Sequence, residues 1–191
     1  MRRIIVAITG ASGAIYGVRA LQVLREIDVE IHLILSAAAR ITLHQETDWK
    51  AAEVEKLAHV RHSPANIGAT IASGSFPTHG MIVIPCSIKT LSAIANSYTD
   101  DLISRAADVV LKEGRPLVLV VRETPLHRGH LRLMDLAAQA GAVIFPPVPA
   151  MYARPASLEE MVHHTVRRAL ARLGLDDLPF PQWQGLPPAE S

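Results

Sequence analysis

The sequence predicts a single-domain α/β fold in which a mostly parallel sheet is covered by helices on both faces. Three observations predict it. Short runs rich in Ile, Val and Leu alternate with longer amphipathic runs along the chain. Those short runs are apolar throughout, the pattern of strands buried on both faces. Each of them empties at its carboxyl end into hydroxyls, charges or prolines, the edge at which doubly wound sheets bind ligands. With 191 residues and 49% hydrophobic content the chain can bury one good core, and nothing in it forces a second domain.

Ile4 to Thr9 reads as the first strand and Val18 to Arg25 as its helix. Between them Gly10-Ala11-Ser12-Gly13-Ala14-Ile15-Tyr16-Gly17 is a strand-to-helix turn. Glycines there let a ligand approach the backbone, while the free amides and dipole of the helix start attract phosphate. Ser12 replaces the second glycine of the dinucleotide fingerprint, and no Gly-Lys-Ser/Thr follows, so the turn is neither that fingerprint nor a Walker loop. A hydroxyl in such a cradle suits a single terminal phosphate, so the expected guest is a phosphorylated cofactor. Taken alone, the turn is also compatible with a purely structural first connection. A hydrolase elbow is set aside because Ala14 breaks Gly-x-Ser-x-Gly.

Glu30 to Leu35 is the second strand and ends in Ser36; Ile41 to Leu57 reads as its helix. Met81 to Ile84 runs into Pro85-Cys86-Ser87-Ile88-Lys89-Thr90 and then a long helix, Leu91 to Lys112. Leu117 to Val121 is followed by Arg122-Glu123-Thr124-Pro125 and a helix from His130 to Ala140. Ala142 to Phe145 opens into Pro146 to Tyr152, and Leu158 to Leu173 closes the chain with apolar residues at three-to-four spacing. The domain is expected over 1–178, with 179–191 a proline-rich strap whose four prolines forbid regular structure.

Composition narrows the partners. A net charge of +1 without a Lys/Arg block gives no footprint for nucleic acid or anionic membrane. The chain enters its first strand at once and carries no bilayer-length apolar run, so a cytoplasmic protein is expected. Its single cysteine, Cys86, excludes an internal disulfide and a multi-cysteine zinc site, and reads as a small buried hydrophobe. His127 and His130 share a helix spacing but lack a third ligand, and the adjacent His163 and His164 point apart. No metal site is expected.

The stretches "GASGAIYG", "ASGSFPTHGMIVIPCSIKTLSAIA", "RAADVVLKE", "RETPL" and "PPVPAMYARP", in this order, give the chain a resemblance to the UbiX-type flavin prenyltransferases, formerly called aromatic acid decarboxylases. The resemblance covers nearly the whole chain. It implies a flavodoxin-like, Rossmann three-layer fold, bound FMN and a homododecamer. It also implies that dimethylallyl phosphate is joined to reduced FMN at N5 and C6. The prenylated FMN then passes to a UbiD-type decarboxylase, in many bacteria for ubiquinone synthesis.

Carried over residue by residue, the resemblance makes Gly10, Ala11, Ser12, Ser36, Ser87, Ile88, Lys89, Thr90 and Arg122 FMN contacts. Tyr152 and Arg168 become ligands of the prenyl phosphate, with Arg105 and Lys112 adding positive charge, and Trp183 closes over the site. Ser12, Glu46, Lys112 and Glu123 are its catalytic candidates. Gly114, Met151 and Ala153 depart from the family pattern and leave the pocket wall open.

The chemistry asks for these residue types. An allylic carbon–phosphate bond that breaks leaves charge on the phosphate, which fixed cations and a phenol hydroxyl stabilise without a metal. Ring closure moves protons, for which Glu123 and Ser12 are candidates beside the departing phosphate. Lys112 and Arg168 also fit an ordinary solvated helix face, and Glu46 an ordinary surface carboxylate. Two rival functions stand beside this one. An FMN-dependent cysteine-type decarboxylase shares the Pro-x-Ser segment but has no use for the phosphate-gripping Lys112, Tyr152 and Arg168. A non-catalytic flavin carrier does not need the Arg122–Glu123 pair.

Overall fold

The computed structural model describes residues 1–175 and 177–185. Among the described residues there are six strands, β1 (Arg2–Ile8), β2 (Val29–Leu35), β3 (Val60–His62), β4 (Gly80–Cys86), β5 (Leu117–Val121) and β6 (Val143–Ile144). They form one all-parallel sheet in the order β3-β2-β1-β4-β5-β6. Both faces of the central strands are buried, which is why β4, β5 and β1 from Ile4 onward read as apolar runs.

Alternate residues feed two cores. Ile4, Val6, Ile8, Ile31, Leu33 and Ile82 pack under α1 (Ala14–Leu24), α2 (Ala37–Glu46), α3 (Ala51–Glu55) and α7 (Leu158–Ala171). Ile5, Ala7, Met81, Val83, Leu117 and Leu119 pack under α4 (Ile88–Ala95), α5 (Leu102–Lys112) and α6 (Arg128–Gln139). The result is the expected three-layer sandwich. α7 runs parallel to α1, tied near its start by Arg19–Glu159 and near its end by Arg167–Glu26 at 2.6 Å. Asp177 pairs with Arg2 at 2.6 Å, so the chain beyond α7 returns to β1.

Two expected helices are each broken in two. The single helix over Ile41 to Leu57 is instead α2 and α3, separated where Thr47 turns extended (φ −142°, ψ 163°). α2 begins earlier than expected because the Ser36 hydroxyl caps it, accepting from the Ala39 amide at 3.0 Å. The single helix over Leu91 to Lys112 is α4 and α5; Ser97 takes a left-handed φ of 50°, and Asp101 caps the new start through Ser104. β3 was absent from the expected strands, being three residues with the middle one exposed. The expected tail lies partly outside the described residues.

Candidate functional site

β1, β2 and β4 are neighbours, so their carboxyl ends set the turn after Ile8, Ser36 and Ser87 side by side. Thr9, 1% exposed, locks two of these ends together. Its hydroxyl donates to the Pro85 carbonyl at 2.7 Å and accepts from the Ser87 amide at 2.8 Å. The Ser36 amide donates to the Ile8 carbonyl at 3.1 Å and fixes the third. Between them opens a cavity of about 480 Å³ whose lining includes Gly10, Ser36, Ser87, Lys89 and Thr90. Five residues named from the sequence as cofactor contacts thus share one cavity.

The helix starts at this edge are not equivalent. Gly13, at φ 98°, is the left-handed residue that lets the chain turn into α1. The amides beyond it are not free: Glu46 Oε2 accepts from Gly13 at 2.7 Å and from Ala14 at 3.0 Å. This corrects the expectation that the α1 start is an open phosphate cradle, since a carboxylate from the end of α2 already fills it. At α4 the Ser87 hydroxyl accepts from the Thr90 amide at 3.4 Å and donates to the Thr90 hydroxyl at 3.2 Å. The Ile88 and Lys89 amides there belong to the first helical turn and lack a carbonyl four residues back. The cavity is therefore faced by the first-turn amides of α2 and α4 rather than by those of α1.

Glu46 has its own electrostatics. Partial burial raises its pKa, but the Ser12 hydroxyl, the Ala14 and Gly13 amides and the Arg122 charge together hold it below the usual carboxylate range. It is an anion at neutral pH. Arg122, whose amide donates to the Cys86 carbonyl at 3.2 Å, also acts on Tyr16, whose phenol is pushed up by burial and pulled back by that guanidinium. Ser12, Glu46, Arg122 and Tyr16 are therefore one electrostatic group beside the cavity. Cys86 is buried and its thiol is pushed up to about 12, which keeps it inert.

A second cluster forms past β6. The Tyr152 hydroxyl donates to the Pro181 carbonyl at 3.3 Å, and its ring meets Trp183 edge-on at 5.7 Å. Arg168 stands 6.0 Å from the centre of the Phe145 ring, in a narrow cleft shared with Tyr152 and Phe180. The Tyr152, Arg168 and Trp183 trio named from the sequence is thus brought together.

A family model described as Flavoprotein matches residues 1–169. The chain is 61% identical over 189 residues to the flavin prenyltransferase UbiX of Escherichia coli K12, spanning 97% of this chain and 100% of that protein. The crystal structure of AnUbiX in complex with FMN and dimethylallyl pyrophosphate superposes with a TM-score of 0.95 at 50% identity, over 97% of this chain and 99% of that one. A dodecameric FMN-dependent UbiX-like decarboxylase from Escherichia coli O157:H7 gives 0.92 at 50% identity, over 96% and 100%. The chain belongs to the UbiX flavin prenyltransferase family.

Within this UbiX-family fold, five further candidates stand apart from the cavity lining. Glu123 is exposed and accepts from the Thr124 amide at 3.0 Å. Arg105 pairs with Asp108 at 3.3 Å and donates to the Ala72 carbonyl at 3.3 Å. Lys112 pairs with Glu113 at the far end of α5, roughly 16 Å along the helix axis from its start at the cavity. Tyr152, in the segment after β6, and Arg168, on α7, line a separate cleft with Phe145 and Phe180. Residues missed from the sequence are Thr9, Tyr16, Pro64 and Asp101, all but Tyr16 being cavity lining. Only Thr9 and Tyr16 carried a signal, since they flank and end the glycine-rich turn. Among the described residues no group of three or more His, Cys, Asp or Glu is placed to hold a metal ion, and no helix is long and apolar enough to cross a membrane.

Proposed function

We propose that this chain transfers the dimethylallyl group of dimethylallyl phosphate to N5 and C6 of reduced FMN, making prenylated FMN. The observation that carries the reading is the shared cavity of Gly10, Ser36, Ser87, Lys89 and Thr90 at the carboxyl edge of a UbiX-family sheet. That donor set fits a flavin phosphate: first-turn amides, three hydroxyls and one ammonium meet a group with three acceptor oxygens. Reduced FMN supplies the electron-rich ring that accepts the allylic carbon.

The chain's own residues do the rest. Glu46, ionised and bonded to the α1 start, orients Ser12 and is the proton acceptor of the pair. Arg122 holds negative charge at the same edge. Tyr152 and Arg168 grip the departing phosphate with a hydroxyl and a guanidinium, and Trp183 covers them. Glu123 is the second carboxylate for proton movement. Because Lys112 and Arg105 face away from this chain's cavity, they serve the site of a neighbouring copy, in a homo-oligomer that we take to be a dodecamer. The product passes to a UbiD-type decarboxylase, in ubiquinone synthesis.

The deciding experiment is anaerobic incubation of the protein with reduced FMN and dimethylallyl phosphate, followed by mass analysis of the flavin. A gain of one prenyl unit is expected. Unmodified FMN after many turnovers' time, with FMN bound, would overturn the prenyltransferase reading and leave the two rival flavin-binding functions.

A further inference from the structure

Asp101 places a negative charge on the rim of a cavity whose other polar groups suit an anion. Its carboxylate is divided between two tasks. Oδ1 accepts from the Ser104 amide at 2.8 Å and the Ser104 hydroxyl at 2.9 Å, which caps α5. Oδ2 accepts from Lys89 Nζ at 3.2 Å. Both Asp101 and Lys89 line the cavity beside Ser87 and Thr90. The start of α5 is itself fixed there, because the Leu102 amide donates to the carbonyl of Pro64, another wall residue, at 2.8 Å. Partial burial raises the Asp101 pKa, but the Ser104 amide and hydroxyl and Lys89 outweigh it, and the group stays below the usual carboxylate range.

Capping does not explain that charge. Asparagine and serine cap helices about as well as aspartate. A carboxylate beside the only lysine on the rim does something that neither would. It occupies the ammonium that a ligand phosphate needs.

We propose that Asp101 is a positioning residue for Lys89 that competes with the flavin phosphate for the Lys89 ammonium and so loosens the grip on the phosphate-bearing product. The inference rests on the cavity being the flavin-phosphate site. Its logic follows from the reaction. The acceptor and the product carry the same phosphate, so a cradle that recruits one retains the other. A built-in competitor sets a compromise between capture and release. The Lys89 side chain is 67% exposed, so the competition is modest.

The test measures dissociation constants for FMN and riboflavin, and the FMN off-rate, on the full chain as wild type, Asp101→Asn, Lys89→Met and the double variant. Asp101→Asn keeps the cap and removes the charge; it should tighten FMN about three- to tenfold and slow its release in proportion. Riboflavin affinity should stay unchanged, and the gain should vanish in the Lys89→Met background. Asp101→Ser, which also caps well, should behave like Asp101→Asn. An equal shift for riboflavin, an unchanged FMN constant, or a gain that persists without Lys89 overturns the proposal while leaving the cavity assignment intact. A wild-type protein that binds riboflavin as tightly as FMN overturns the cavity assignment and this proposal together.

Discussion

Glu46 shows how a single side chain joins positions that the sequence keeps apart. It lies over thirty residues from Ser12, on a stretch that reads as one continuous helix, and only the break after it brings the carboxylate to Gly13 and Ala14. The sequence therefore named both residues but not their link, because the link depends on where α2 stops. The same contact explains why the glycine-rich turn reads from sequence as an open phosphate cradle. Glycines announce a close approach of something to the backbone, and here the visitor is the chain's own carboxylate. Glu46→Gln tests its role. The amide oxygen can still accept one helix-start bond, so the fold and FMN binding should survive, while prenyl transfer should fall by about a hundredfold or more, the range of a positioned acid–base group. Turnover within a few-fold of wild type, with FMN bound, would reduce Glu46 to a helix cap.

At the level of elements, the apolar strands and the polar carboxyl edge were legible because each rests on a few adjacent residues. The helix breaks were not, since three-to-four spacing persists in apolar residues on either side of Thr47 and of Ser97, and only local backbone conformation divides them. β3 was invisible because Val60-Arg61-His62 is too short for a pattern. It is nonetheless held by a polar cluster. His32, 2% exposed, is stacked on His62, with its Nδ1 3.0 Å from His62 Nε2 and its Nε2 3.1 Å from Glu30, which Arg3 grips at 2.9 Å. Burial pushes both imidazoles below their ordinary value of 6.5; for His32 the Glu30 carboxylate opposes it while Arg3 and His59 reinforce it, and for His62 the reinforcement is His32 itself. The folded state thus binds fewer protons than the unfolded chain once pH drops below about 6.5, so stability must fall as pH falls through that window. Glu30, held below its ordinary 4.5, adds a further loss only in stronger acid. Melting temperature between pH 7.5 and 5 should decline, and His62→Asn should flatten that decline. An unchanged slope in the variant would remove the cluster from the account.

Across the whole molecule, the groups proposed to handle phosphate are dispersed. The α4 start with Lys89, the Tyr152–Arg168 cleft past β6, and Lys112 at the far end of α5 occupy three different regions of the sandwich. Exposed apolar side chains gather around two of these regions, with Val148 70% and Met151 67% exposed near the cleft and Tyr98 64% exposed beyond α4. Sequence order indicated the residues but not the geometry, because a family pattern carries no information on which copy of the chain supplies which group. If neighbouring copies complete each site, then two variants that are each inactive should rescue one another. Lys112→Ala and Arg168→Ala, expressed separately, should retain FMN and lose most prenyl transfer. Co-expressed in equal amounts and assembled at random, they should recover about one quarter of wild-type activity where the two residues come from different copies, since that fraction of sites then draws both from unmutated chains. Recovery should disappear when both changes sit in one chain mixed with no wild type. Mixed oligomers that stay at the level of the single variants would show that Lys112 and Arg168 do not reach one site from different copies.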